Sequence, residues 1–181
     1  MKYSDAINSI LNELPGIARA TTVDAMRESA SEFCRQTLCW RETERTALIP
    51  NINRYMAGDS SGELVHVFSV KRLDGSHYTN APFPIQVGEV VIDPPRKITQ
   101  VSMEVALAPP FGSQTEEIPE ALNRYIDAVL FHTKWKLKSQ TGMTWSDPNG
   151  AVLAYQQYLN RKEDALRDQS TTTRVKPRRF I

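Results

Sequence analysis

The chain has 181 residues, 22 Lys+Arg against 21 Asp+Glu, and 40% apolar content, which suits one domain whose core needs no disulfide support. A net charge of +1 argues against a body built to bind nucleic acid, for which a basic face is required. No stretch has the ~18 consecutive apolar residues of a membrane span. The opening Met1-Lys2-Tyr3-Ser4-Asp5 lacks the apolar region of a signal peptide, so a cytoplasmic setting is expected.

Ser4 is placed to cap a first short helix with Ile7, Ile10, Leu11 and Leu14 on one face, and Pro15-Gly16 ends it. Thr21 or Thr22 opens a second helix, with Val23, Met26, Ala30, Phe33 and Leu38 at helical spacing, running to about Trp40. Glu28, Glu32 and Arg35 take its wetter side. On a helix of that length Cys34 and Cys39 stand about 140° apart around the axis. That placement suits neither a disulfide nor a metal pair, and two buried thiols in a reducing compartment are expected.

From about residue 45 to 107 the helical period disappears. Short runs replace it at Thr46–Ile52, Leu64–Leu73, Ile85–Ile92 and Ile98–Leu107. Val101, Met103, Val105 and Leu107 alternate with Ser102 and Glu104, the period of a half-buried strand. Turn signals at 58–62, Asp74-Gly75, Pro82/Pro84 and Asp93-Pro94-Pro95 separate the runs and predict a small antiparallel sheet.

A third helix is predicted from Ile118-Pro119-Glu120, proline being harmless in a first turn, with Leu122, Tyr125, Ile126, Val129, Thr133 and Leu137 on one face. Residues 139–142 break it. Asp147 as N-cap and Pro148 at the first position open the last helix. Its pattern predicts Val152, Tyr155, Leu159 and Leu166 inward, with Arg161, Lys162, Glu163, Asp164, Arg167 and Asp168 outward. The expected fold is mainly α with a β insertion (α+β). A four-helix bundle spans residues 1–168, a small antiparallel sheet (about 44–110) is inserted between helices 2 and 3, and residues 169–181 form an extended C-terminal arm.

That arm holds Arg174, Lys176, Arg178 and Arg179, no acid, Pro177, and an apolar end at Phe180-Ile181 beside Val175. Removing its four cations leaves 18 basic residues against 21 acidic ones, so the body carries −3 and the arm +4. The arm buries too little apolar surface to offset ordering costs of ~1–2 kcal/mol per residue, and so cannot fold alone. An extended cationic segment with a hydrophobic end suits a groove on another molecule, and a solvated terminus is the plainer alternative.

Signals for catalysis are weak. Asp59, Asp74, Asp93 and Asp147 occupy turn or cap contexts, where the carboxylate serves the backbone. His66, His77 and His132 lie far apart with no H-x-x-x-H pair. Nucleophile-elbow and phosphate-loop glycine patterns are absent, and nothing in the sequence positions Cys34 as a nucleophile. No enzyme activity, cofactor or metal is implied. Trp40, Trp135 and Trp145 read as helix-end core residues rather than base-stacking platforms. Lys134, Lys136 and Lys138, near Arg124, read either as a solvated face with cations at a helix C-terminus or as a basic patch.

Several segments in order resemble head–tail adaptor (connector) proteins of tailed bacteriophages. They are Leu14-Pro15-Gly16 followed by the helix 23–35 and Trp40, then 67–75 (VFSVKRLDG) and 88–95 (GEVVIDPP), then 118–122 (IPEAL), 143–148 (MTWSDP) and Ala154-Tyr155, and finally 174–181 (RVKPRRFI). The resemblance implies a structural virion protein at the head–tail junction, assembled in the host cytoplasm. It would form a homo-oligomeric ring of twelve copies beneath the portal protein and meet a downstream tail or nozzle protein. DNA would pass through the centre, with Lys134, Lys136 and Lys138 as a channel lining. The arm, Arg174, Val175, Lys176, Pro177, Arg178, Arg179, Phe180 and Ile181, would dock into the portal. A tail-completion or terminator protein, and a small DNA-binding factor using the basic arm, are the alternatives.

Overall fold

Ile7, Ile10 and Leu14 are all buried, as their spacing requires. The computed structural model, which describes residues 1–57, 62–79, 82–86, 88–112 and 114–171, divides that first segment into two short helices. They are α1 (Tyr3–Ala6) and α2 (Asn8–Glu13), meeting at Ile7. Ser4 caps neither; its carbonyl instead accepts from the Arg19 guanidinium. α3 (Arg19–Thr37) buries Met26, Ala30, Phe33 and Cys34. It stops short of Trp40 because Leu38 turns left-handed (φ 53°) and donates its N–H back to the Cys34 carbonyl at 2.8 Å, a C-terminal closure more often made by glycine.

The reversed chain enters β1 (Trp40–Leu48), followed by β2 (Arg54–Met56), β3 (Glu63–Arg72), β4 (Ile85–Gln86), β5 (Glu89–Val91) and β6 (Thr99–Ala108). Two antiparallel three-stranded sheets result, ordered β1-β6-β3 and β2-β5-β4. The β1–β6 register runs from Trp40↔Leu107 to Leu48↔Thr99. Shifts between Leu64 and His66 and between Val67 and Ser69 accommodate β3 on the other side of β6. After a 3-10 segment (Glu120–Tyr125), α4 (Ile126–Lys138) and α5 (Pro148–Thr171) form an antiparallel pair. Asp147 caps α5 as its sequence predicts, accepting the Gly150 N–H at 2.9 Å.

The four-helix bundle with a looped-out sheet is overturned. The order is short helices and α3, then the sheets, then α4 and α5, and the sheet belongs to the core rather than hanging from it. Central strand β6 buries six of its ten residues, and Met103, Val105 and Leu107 join Met26, Phe33 and Leu122 in one apolar cluster. Once β6 sits between two partner strands, its apolar face must be covered, and α3 covers it. Ser31 on α3 fixes that contact by donating to the Pro109 carbonyl at 2.6 Å.

The inward face assigned to α5 is also corrected. Val152, Tyr155, Leu159 and Leu166 are exposed, whereas Ala151, Ala154, Tyr158 and Ala165 are buried. Three alanines and one tyrosine let the helix lie close on α4. Tyr158 reaches across to Phe33 of α3 (centroids 6.4 Å apart) and donates its hydroxyl to Gln36 at 2.8 Å.

Candidate functional site

α5 ends beside the last residues of the 3-10 segment, where it joins α4. Asp168 accepts from Arg124 at 2.7 Å and from the Tyr125 hydroxyl at 3.3 Å, which fixes the point from which the chain continues. The arm residues Arg174 to Ile181 lie outside the described residues. What is described is the helix that leads to them, with a row of large apolar side chains facing solvent. Val152 is 58% exposed and Leu159 37%, and Tyr155 stacks beside Trp135 with centroids 4.8 Å apart.

The three lysines of α4 are each engaged inside the chain. Lys134 pairs with Glu13 at 2.7 Å. Lys136 meets Glu32 at 2.6 Å and Glu28 at 3.5 Å. Lys138 is buried and held by Glu13 at 2.6 Å and Asp147 at 3.2 Å. Burial alone would lower the Lys138 pKa, but the bonds to Glu13 and Asp147 outweigh it and hold the ammonium above its ordinary value. The row therefore fastens α4 to α2, α3 and the start of α5. With its charge compensated there, it has little to offer phosphate oxygens.

Between α3, α4 and α5 lies a buried polar and aromatic cluster. His132 packs against Trp135 and Tyr158, with ring centroids 5.1 and 4.3 Å away. Its Nε2 lies 3.5 Å from the Glu32 carboxylate, while Nδ1 has no hydrogen-bond partner. Burial pushes its pKa down to about 4, against the opposing pull of Glu32, so the ring is neutral at physiological pH. Cys34 and Cys39 are also closer than a longer helix would have placed them, because the turn at Leu38 folds Cys39 back. Hydrogen bonding between the thiols, together with burial, holds Cys34 above its ordinary pKa, and the same bond lowers Cys39. Both are free and buried. No group of three or more His, Cys, Asp or Glu among the described residues is arranged to hold a metal ion. No helix among them is long and apolar enough to cross a membrane.

An open cleft of about 700 Å³ lies between the N-terminal turn, the start of β1 and the segment 109–123. Its apolar lining includes Tyr3, Trp40, Pro109, Pro110, Ile118 and Pro119. Backbone bonds hold its edge: Tyr3 N–H donates to Glu116 and Ile118 N–H to Met1, at 3.0 and 2.8 Å. Arg27 closes one side, donating to the carbonyls of Thr115 and Gln114 at 3.1 and 3.2 Å and pairing with Asp24. Arg41 on another side lies over Phe68 at 4.0 Å and faces Glu104 at 3.7 Å. Sequence reasoning missed this cleft. The only sign of it was the cluster Pro109, Pro110 and Pro119, which reads as a connection and gives no hint that it packs beside Tyr3 and Trp40.

No protein-family model matches this chain, and no curated protein matches it significantly.

Proposed function

We propose that the chain is a structural component of a phage head–tail junction: a ring-forming adaptor that binds the portal through its C-terminal arm and lets DNA pass through its centre. α5 carries the reading. It faces its small residues inward and sets Val152, Leu153, Tyr155, Leu159 and Leu166 against solvent, and it then continues into the +4 arm. A folded protein with a full core that still exposes such a row has a surface for another protein chain. The resemblance in segment order makes the adaptor the particular assembly proposed, with twelve copies, a virion location and no catalytic role. In that setting an arm that makes its best contacts on the portal couples assembly to docking, and repetition around a ring multiplies modest affinities.

One observation favours the tail-completion alternative. Continuing the register places Ile49 opposite Ile98 at the end of the sheet, with Leu73 on the neighbouring strand, and all three are exposed. That apolar edge suits a tail-side partner. The two readings separate in a pull-down from phage-infected lysate, with the full chain and a chain ending at Gln169 as baits and partners identified by mass spectrometry. Retrieval of the portal by the full chain alone supports the adaptor. Retrieval of a tail protein by both baits, without the portal, overturns it.

A further inference from the structure

We propose that the cleft beside Trp40 is the docking site for the chain's own C-terminal segment, residues 172–181, held in cis. The inference does not depend on the adaptor reading; it stands on the charge of the cleft, its apolar lining and the reach of the chain. Among the lining residues, Arg27 and Arg41 are already engaged, one by Asp24 and two carbonyls, the other by Glu104 and the Phe68 ring. The carboxylates Glu42, Glu117 and Glu120 also line it, and among the described residues none of the three is in an ion pair. Glu42 accepts the Trp40 indole N–H at 2.8 Å. Lys2 lies near enough to Glu117 to offset part of its charge, and Glu42 and Glu120 leave the cleft with an excess of negative charge over a floor of aromatic rings and prolines. Residues 174–181 offer the complement: four cations interleaved with Val175 and Pro177 and closed by Phe180-Ile181.

The geometry of α5 delivers this segment to the right place. Asp168 is bonded to Arg124 at 2.7 Å, Asn123 next to Arg124 lines the cleft, and Thr171 lies one helical turn beyond Asp168. The ten residues that follow span up to about 33–36 Å when extended, enough to cross the cleft. A tether this short gives an effective concentration of about millimolar, so a contact too weak to hold a free peptide would still keep the segment on its own body. Its cations and apolar end would then be covered until a partner with a better groove displaces them.

Carbodiimide cross-linking of the full chain, an equal mixture of isotopically light and heavy copies, tests this. The expected result is a link from Lys176 to Glu117, Glu120 or Glu42 within single copies. Its yield should fall about tenfold at high salt and in the R178E/R179E variant, as expected for loss of two surface ion contacts. The Lys2–Glu116 pair, 2.9 Å apart with side chains 53% and 73% exposed, serves as the internal standard. Absence of the Lys176 links while that standard forms would overturn the proposal. So would links that only join light to heavy copies, which place the segment in a neighbour's cleft. Yields unmoved by charge reversal would also sink it, because they would reflect tethering alone.

Discussion

Lowering the pH from about 8 to about 5 should destabilise this protein through one residue, His132. The ring is almost fully buried, its Nδ1 is unpartnered, and burial depresses its pKa to about 4 from an ordinary 6.5. A depressed folded-state pKa means that the unfolded chain takes up the proton first. The stabilisation from a neutral His132 is complete above pH 6.5 and is lost as the pH falls towards 4. Integrating that difference from about pH 8 to about pH 5 gives a loss of about 2 kcal/mol, approaching about 3 kcal/mol below pH 4. Glu32, 3.5 Å away, moderates the loss by favouring the imidazolium, whereas Lys136 and Lys162 oppose protonation. Stopping at pH 5 keeps the carboxylates of Glu13 and Asp147, both held below their ordinary values, out of the measurement. Urea melts of the natural chain and of His132→Phe across this range provide the assay, with the imidazole resonances followed by NMR. Phenylalanine retains a ring against Trp135 and Tyr158 without a titrating atom, so its stability should be nearly flat from pH 8 to 5. If the His132 resonances titrate near pH 6.5, or both proteins lose stability equally, the burial argument is wrong.

Other expectations can be checked with the same equipment. Leu159→Glu, on the exposed face of α5, should change stability by no more than about 0.5 kcal/mol, whereas Ala154→Leu on the buried face should cost about 1–3 kcal/mol by overpacking. Reversal of that order would restore the face assignment made from the sequence. A double-mutant cycle of Lys138→Met with Glu13→Gln should give a coupling of about 1 kcal/mol in denaturant melts, and zero coupling would show the 2.6 Å pair to be energetically idle. Gly62→Ala should raise the unfolded fraction, because a Cβ there would lie 3.0 Å from the Trp40 ring and 3.1 Å from Leu107. Near-ultraviolet circular dichroism of Trp40 would register the shift. Under native alkylation followed by peptide mass spectrometry, Cys39 should be modified before Cys34, since the bond between them lowers one thiol and raises the other.

Where local chemistry and the tertiary outcome point the same way, the sequence was legible. Asp147-Pro148 fixed the start of α5 because capping is settled by a carboxylate and the N–H three residues on. The alternation from Val101 to Val105 identified β6 because a pleated strand with one buried face has that period, while Val105 to Ala108 are buried on both faces. Other features were hidden in contacts between distant segments. α3 ends at Leu38 without the glycine that usually signals such a turn, so its length, and with it the approach of Cys39 to Cys34, could not be read locally. The lysines of α4 read equally well as a basic patch or a solvated face until Glu13, Glu28, Glu32 and Asp147 were seen around them.

Periodicity shows that a helix has an apolar stripe, but not which stripe a neighbour will cover. On α5 the stripe of large residues was the natural choice for the core, yet α4 packs against alanines. Close approach between two backbones is worth more contact than the added volume of Val152 or Leu159, and it brings Tyr158 into reach of Phe33 and Gln36. The sheet followed the same logic. β3 and β6 were visible in the sequence, whereas β1 was expected at Thr46–Ile52 and forms at Trp40–Leu48. The place of the sheet in the core was decided only when β6 found β1 and β3, residues some 60 and 40 positions earlier, and α3 closed over the apolar face they made. The sequence by itself determined the cap of α5, strands β3 and β6 and the opposite charges of body and arm, and it carries no recognisable catalytic motif. Tertiary structure alone decided which faces are buried and where the cleft lies, because both depend on side chains meeting across long stretches of chain.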